Sequence, residues 1–157
     1  MFGGVHTEYL RSCEKMDLGK VWTGLGSMTH PKGMFTPCLL HSLFYLISCW
    51  ECSNRTVETF NPETQVFTVL SVVLPPSSLD TASVAFVVGE ELCVLTDNKL
   101  MLRWKVGAER EFRISNTGEV LWSSQQPLIV GSIVLIACCG GVNQFSLDTY
   151  SSIKRIA

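Results

Sequence analysis

Cys49-Trp50-Glu51-Cys52 has the spacing at which two thiolates grip a zinc ion or cycle between dithiol and disulfide, and Cys138-Cys139 offers a second pair of sulfurs. The two pairs do not combine into a metal site. Adjacent residues of a strand point to opposite faces, so Cys138 and Cys139 cannot both turn toward one ion. Nor does a βαβ pattern surround Cys49, as a thioredoxin-like redox pair requires. The chain has seven cysteines, an odd number, and its first residues are interrupted by Glu8 and Arg11 with no apolar core of a signal peptide. Reduced thiols follow, with Cys38, Cys93 and Cys138 acting as small buried hydrophobes. No metal and no cofactor is expected.

The remaining catalytic side chains are as sparse. His6, His30 and His41 all fall in the first third of the chain, and His41 interrupts an apolar run, the position of a core or turn histidine. Asp80, Asp97 and the Glu90-Glu91 pair fall at expected turns, where acidic residues are common for backbone reasons. No nucleophile elbow, phosphate loop, dinucleotide fingerprint or paired-histidine zinc helix occurs. The expectation is a protein that is not an enzyme.

Composition narrows the partners. Net charge is −2 and the isoelectric point about 5.9, with Lys and Arg scattered, so no electrostatic footprint for nucleic acid or an anionic membrane surface is present. Hydrophobic residues make up 46% of the chain and charged residues only 17%, an apolar balance that demands a substantial core. Two uncharged stretches, 36–50 and 128–142, fall short of the ~20 residues that cross a bilayer, and Gly131 and Gly140 break the second at strand-like intervals. Both read as buried strands, and cytoplasmic residence is expected.

The elements that would hold these residues recur. Trp22, Phe67, Phe112 and Ile153 stand 45, 45 and 41 residues apart, each beside an alternating, strand-like run. A fixed period of this size marks repeat architectures, because each unit needs its neighbour to bury its apolar face. In the second unit, residues 43–47 are an apolar run, 55–60 and 66–70 alternate, and the Asn61-Pro62 turn joins the last two as a hairpin. The third unit has four such runs, at 83–88, 92–95, 100–106 and 111–114. The fourth has them at 128–130, 133–137, 142–147 and 153–156. Phe67 and Phe112, like Trp22, are expected to pack as equivalent anchors between neighbouring units.

On these residues the chain resembles the kelch-repeat family. Phe2-Gly3-Gly4, Lys15-Met16-Asp17-Leu18, Trp22 and Ser27-Met28 follow the order of a kelch unit, as do Val57-Glu58-Thr59-Phe60-Asn61-Pro62 with Phe67, and Gly140-Gly141 with Phe145-Ser146-Leu147-Asp148. Ser48-Cys49 and Thr96-Asp97 stand where the second and third units would carry the glycine pair. The resemblance implies an all-β fold, a partial kelch-like β-propeller of four-stranded antiparallel blades. Its units lie approximately at 1–27, 34–70, 82–115 and 127–156, in a single repeat domain. Propellers usually close at about 4–8 blades, so three and a half units suggest part of a larger ring.

In such blades the loops from strand two to three and from strand four to the next blade emerge at one end. Here those loops, at 5–11, 27–33, 49–54, 72–81 and 116–127, are long, while the opposite turns are tight. Function concentrates on long loops held by a rigid scaffold. Tyr9, Arg11, Trp50, Arg55 and Trp122 are therefore the candidate partner-binding residues, since exposed Tyr, Trp and Arg dominate protein interfaces. The resemblance implies a protein partner, such as a ubiquitin-ligase substrate or a cytoskeletal protein. A fragment of a kelch-type enzyme, a copper oxidase or sugar epimerase, and a degenerate coding sequence without function are the alternatives.

Overall fold

The computed structural model describes residues 11–16, 22–30, 36–47, 56–75, 82–96, 99–108, 111–117, 127–138, 141–149 and 151–156. Among them every regular element is a strand. β1 (Glu14–Met16) and β2 (Trp22–Gly24) form an antiparallel pair. Three four-stranded sheets follow, each an antiparallel meander in chain order. The first of them joins β3 (Thr36–Leu40), β4 (Leu43–Ile47), β5 (Thr56–Asn61) and β6 (Val66–Val73). The next joins β7 (Ala82–Val88), β8 (Glu91–Thr96), β9 (Leu100–Lys105) and β10 (Arg113–Asn116), and the last β11 (Leu128–Val130), β12 (Ile133–Cys138), β13 (Gly141–Ser146) and β14 (Ser151–Ile156).

Turn chemistry sets these meanders. The Asn61 side-chain oxygen accepts the backbone N–H groups of Glu63 and Thr64 at 2.9 and 3.2 Å, and its carbonyl accepts that of Gln65, closing the β5–β6 hairpin. This is the local bonding for which Asn is favoured in turns. The Ser146 hydroxyl plays the same part after β13, accepting the N–H groups of Asp148 and Thr149. The hydropathy pattern marks three strands in the β3–β6 sheet and leaves out β3. Pro37 is the reason, because proline reads against a strand, yet β3 is an edge strand where a missing N–H is tolerated. The β3–β4 turn is equally unsignalled. His41 and Ser42 hold φ of 50° and 64°, the left-handed values of a two-residue hairpin turn that Asn-Gly usually fills. His41 is thus an exposed turn residue.

The sheets pack in a row through three apolar seams. Cys13 and Met28, beside the β1–β2 pair, bury themselves against Leu46 and Phe60, with Leu25, Phe44 and Phe67 at the margin. Tyr45, Ile47, Val57 and Val72 of the β3–β6 sheet share a cluster with Leu92, Leu102, Trp104 and Phe112 of the next. Val84, Phe86, Leu95 and Met101 then meet Val134, Ile136 and Phe145 of the last sheet. Both faces of the inner sheets are covered, which explains their continuous burial and the apolar composition. β3, β7 and β11, the first strands of the three sheets, meet around one cavity of about 340 Å³ through Leu39, Phe86, Val87 and Ile129. First strands gathered on a common axis are the geometry of propeller blades.

The repeated aromatics divide in this arrangement. Phe112 is buried against Trp104, with ring centroids 5.8 Å apart, and Trp104 meets the Tyr45 ring edge-on across the seam at 6.1 Å. Phe67 is half-buried, 4.6 Å from Phe60 in the first seam. Trp22 departs from the expected equivalence, since it is 46% exposed. It shares a face with its cross-strand partner Met16, also exposed, while Cys13 and Leu25 lie on the opposite face and supply the packing. Phe67 and Phe112 each face the preceding sheet, and none of the described sheets precedes β1–β2. The side chain of Ile153 lies outside the described residues.

Candidate functional site

The antiparallel order places the β2–β3, β4–β5, β6–β7, β8–β9, β10–β11 and β12–β13 connections at one end of the sheets. The described part of that end is built around Glu58. Alternation along β5 points Thr56, Glu58 and Phe60 to the side that packs on the β1–β2 pair. Phe60 fills the seam there, and Glu58, two residues nearer the loop end, is fully buried. Its Oε1 accepts the backbone N–H of Thr29 at 2.7 Å and that of His30 at 3.3 Å. A carboxylate receiving two amides across the seam fixes the course of the β2–β3 connection, and charge-assisted bonds of this kind are about twice as strong as neutral ones.

His30 extends the cluster toward solvent. Its ring is 28% exposed, with Nδ1 4.0 Å from Glu58 Oε1 and 3.3 Å from the Thr56 hydroxyl. Arg11 closes it from the other side: its Nε donates to the Met28 carbonyl at 2.9 Å, and the Met28 N–H donates to the Arg11 carbonyl at 2.9 Å. Glu58 Oε2 has no hydrogen-bond partner among the described residues. His30, Thr56 and Glu58 thus form one polar constellation bridging the first two sheets at the loop end, and Arg11 adjoins it through the Met28 backbone. It brings together an exposed guanidinium tied at Nε, a partly exposed imidazole and a buried carboxylate.

Of the residues nominated from sequence, Arg11 adjoins this constellation. Tyr9, Trp50, Arg55 and Trp122 lie outside the described residues, as do Cys49, Cys52, Cys139, His6, Asp80 and Asp97. Glu90 pairs with Lys105 at 3.8 Å, while Glu91 pairs with Arg113 and, at 3.6 Å, with Arg103, so both carboxylates serve the β7–β10 sheet. Among the described residues no three His, Cys, Asp or Glu side chains converge as metal ligands. The sequence reading missed Glu58. The available signal was a lone carboxylate on the same strand face as Phe60, and it was lost because polar–apolar alternation reads Glu58 as solvent-facing in a strand that is buried on both sides.

Cys93 is chemically quiet. Burial pushes its thiol up from 9.0 to about 12, with the nearby Glu91 carboxylate adding to the rise. Since the thiolate is the reactive form, this sulfur is a core atom rather than a nucleophile. Burial also raises the Tyr45 phenol above its usual value. No helix of the described residues is long and apolar enough to cross a membrane.

Sheets of four antiparallel strands, stacked face to face with their first strands around one cavity, define an all-β, propeller-like fold. Comparison with solved structures agrees: the chain superposes on the β-propeller YjhT with a TM-score of 0.67, at 15% sequence identity, over 94% of its own length. It spans 59% of the YjhT chain. No family model and no curated protein matches the sequence.

Proposed function

We propose that the chain is a cytoplasmic protein-interaction module of kelch-repeat type, binding its partner through the loop end of the sheets. The observation that carries this reading is the bonding of the 28–30 backbone, in which Arg11 donates to the Met28 carbonyl and Glu58 accepts the Thr29 and His30 amides. Burying a carboxylate is costly unless it is bonded, and this one holds the Thr29–His30 backbone of the β2–β3 connection against the second sheet. A backbone ordered in advance loses less entropy on binding, which favours recognition through Arg11; Tyr9, Trp50, Arg55 and Trp122 are proposed as its companions on their residue type and their place in the sequence. The same use of Glu58 speaks for a scaffold role over a catalytic one, because its Oε1 is already engaged by the chain. A protein such as a ubiquitin-ligase substrate or a cytoskeletal element is the proposed partner.

The test is affinity capture from cells followed by cross-linking of the bound partner, comparing three forms of the chain. Arg11→Glu with Trp50→Ala at the loop end should abolish capture, whereas Glu63→Ala with Thr64→Ala in the β5–β6 turn should leave it intact. Loss of the partner from the turn variant alone would place the binding surface at the wrong end.

A further inference from the structure

The outer faces of the first pair and the last sheet are the two halves of one seam. Inside the chain a seam is made when two facing aromatics press on the sheet before them. Phe60 opposite Phe67 does so in the first seam, and Trp104 with Phe112, one step beyond the Arg103–Arg113 pair, in the second. The β1–β2 pair carries the equivalent couple, Met16 opposite Trp22, and both are exposed, at 55% and 46%. Glu14, opposite Gly24, stands at the edge of that face. The receiving half recurs as well. Tyr45, Ile47 and Val57 of β4 and β5 share the second seam with Trp104 and Phe112. Ile47 pairs with Val57 as Ala137 of β12 pairs with Val142 of β13, so Leu135, Ala137 and Val142 hold the same places in the last sheet. Alternation turns Val134, Ile136 and Phe145 into the third seam, and therefore turns Leu135, Ala137 and Val142 to the outer face, together with Leu128 and Val130 of β11. Leu128, Val130 and Ala137 are exposed, Leu135 and Val142 half-buried, and Gln144 and Ser146 are the polar residues beside them.

We propose that a second copy of this chain covers both faces, with the Met16–Trp22 couple of each copy pressed on Leu135 and Val142 of the other, so that two copies close one propeller-like ring. Two observations select this occupant over an unrelated partner. The first is continuity: each outer face is the counterpart of the other, in a register that already packs inside the chain. The second is closure. Head-to-tail contacts make a ring where the rotation closes and a filament where it does not. The chain spans 59% of the YjhT chain, so two copies supply about one such ring. Their six four-stranded sheets and two two-stranded pairs fall within the roughly 4–8 blades at which propellers close. Once one seam forms, the second is intramolecular, which favours the closed pair over longer assemblies. Trp22 is covered only in the pair, so its truncation spares the fold of the single chain in dilute solution and acts on association.

Light scattering of the complete chain over a dilution series tests this. The mass expected for the pair is twice the 17.4 kDa of one chain. Trp22→Glu and Leu135→Lys should each fold and run as single chains, with association weakened at least about thirtyfold, the loss of one central anchor at each seam. An equimolar mixture of the two variants should regain the double mass, because one of its seams is then native on both sides while the other sets Glu against Lys. A pair lost to only one of the substitutions, or not restored by mixing, would overturn the proposal in favour of contact between like faces. A native chain that stays single at every concentration, or that grows without limit into polymers, would overturn it outright. Should a charged variant fail to fold, Trp22→Ala and Leu135→Ala, mixed in the same way, take its place. Failure of the pair leaves the loop-end reading untouched, since neither substituted residue lies at that end.

Discussion

At the scale of single residues, Glu58 and Cys93 carry the sharpest consequences. Glu58 ties the 29–30 backbone to the second sheet, so Glu58→Ala leaves two amides without their acceptor. The expected loss is about 1.5–3 kcal/mol, the range for hydrogen bonds to a charged group, and Glu58→Gln, which keeps an acceptor oxygen, should lose less. Denaturant unfolding of the three proteins measures this, and equal midpoints for wild type and Glu58→Ala would contradict the role. Cys93 makes a pH statement. Its folded thiol titrates near 12 against 9.0 when unperturbed, so its contribution to stability is complete below about pH 9 and drains away as pH climbs toward 12. Tyr45 acts in the same sense above 10.0. Cys93→Ala removes the thiol contribution. The stability gap between wild type and this variant should therefore shrink between pH 9 and 11 by on the order of 2–3 kcal/mol, read from melts at each pH. Parallel pH curves would show that Cys93 is not buried as described.

At the scale of elements, the seams rather than the strands distinguish one aromatic from another. Phe112 is buried between Trp104 and the preceding sheet, so Phe112→Ala should cost about 3–5 kcal/mol, whereas Trp22→Ala, on a solvent-facing surface, should cost under about 1 kcal/mol. Comparable losses at both positions, measured by chemical denaturation, would mean that Trp22 is covered like the others. The strands themselves were largely legible. All four of the β7–β10 sheet and all four of the β11–β14 sheet follow from alternation bounded by Gly89, Gly107 and Gly131, whose positive φ values of 57°, 77° and 60° are those that turns need. β3 was hidden by Pro37, and its turn by His41 and Ser42, which take left-handed geometry without the residue types that announce it. The site was less legible than the fold. Arg11 could be named from exposure and type, but the Glu58–Thr29–His30 contacts join residues 28 and 29 positions apart, and no local pattern encodes which loop a buried carboxylate will meet.

At the scale of the whole molecule, one arrangement governs the rest: consecutive sheets stacked face to face, each seam joining neighbours in the chain, with first strands gathered at an axis. An all-β chain with the same strands could instead form a two-layer sandwich, in which strands of one meander pack across a single interface. Composition and strand spacing suit both. The seams separate them, because in the stack Tyr45 meets Trp104 while Val134 and Phe145 share their cluster with Met101 and Leu95, so the β7–β10 sheet is covered on both faces by different partners. A nuclear Overhauser spectrum with aromatic and methyl side chains resolved reads these proximities directly. The stack predicts cross-peaks from Tyr45 to Trp104 and from Phe145 to Met101, with none between Tyr45 and Phe145. Cross-peaks joining Tyr45 to Phe145, with the Tyr45–Trp104 peak missing, would contradict the propeller-like order and the loop end that depends on it.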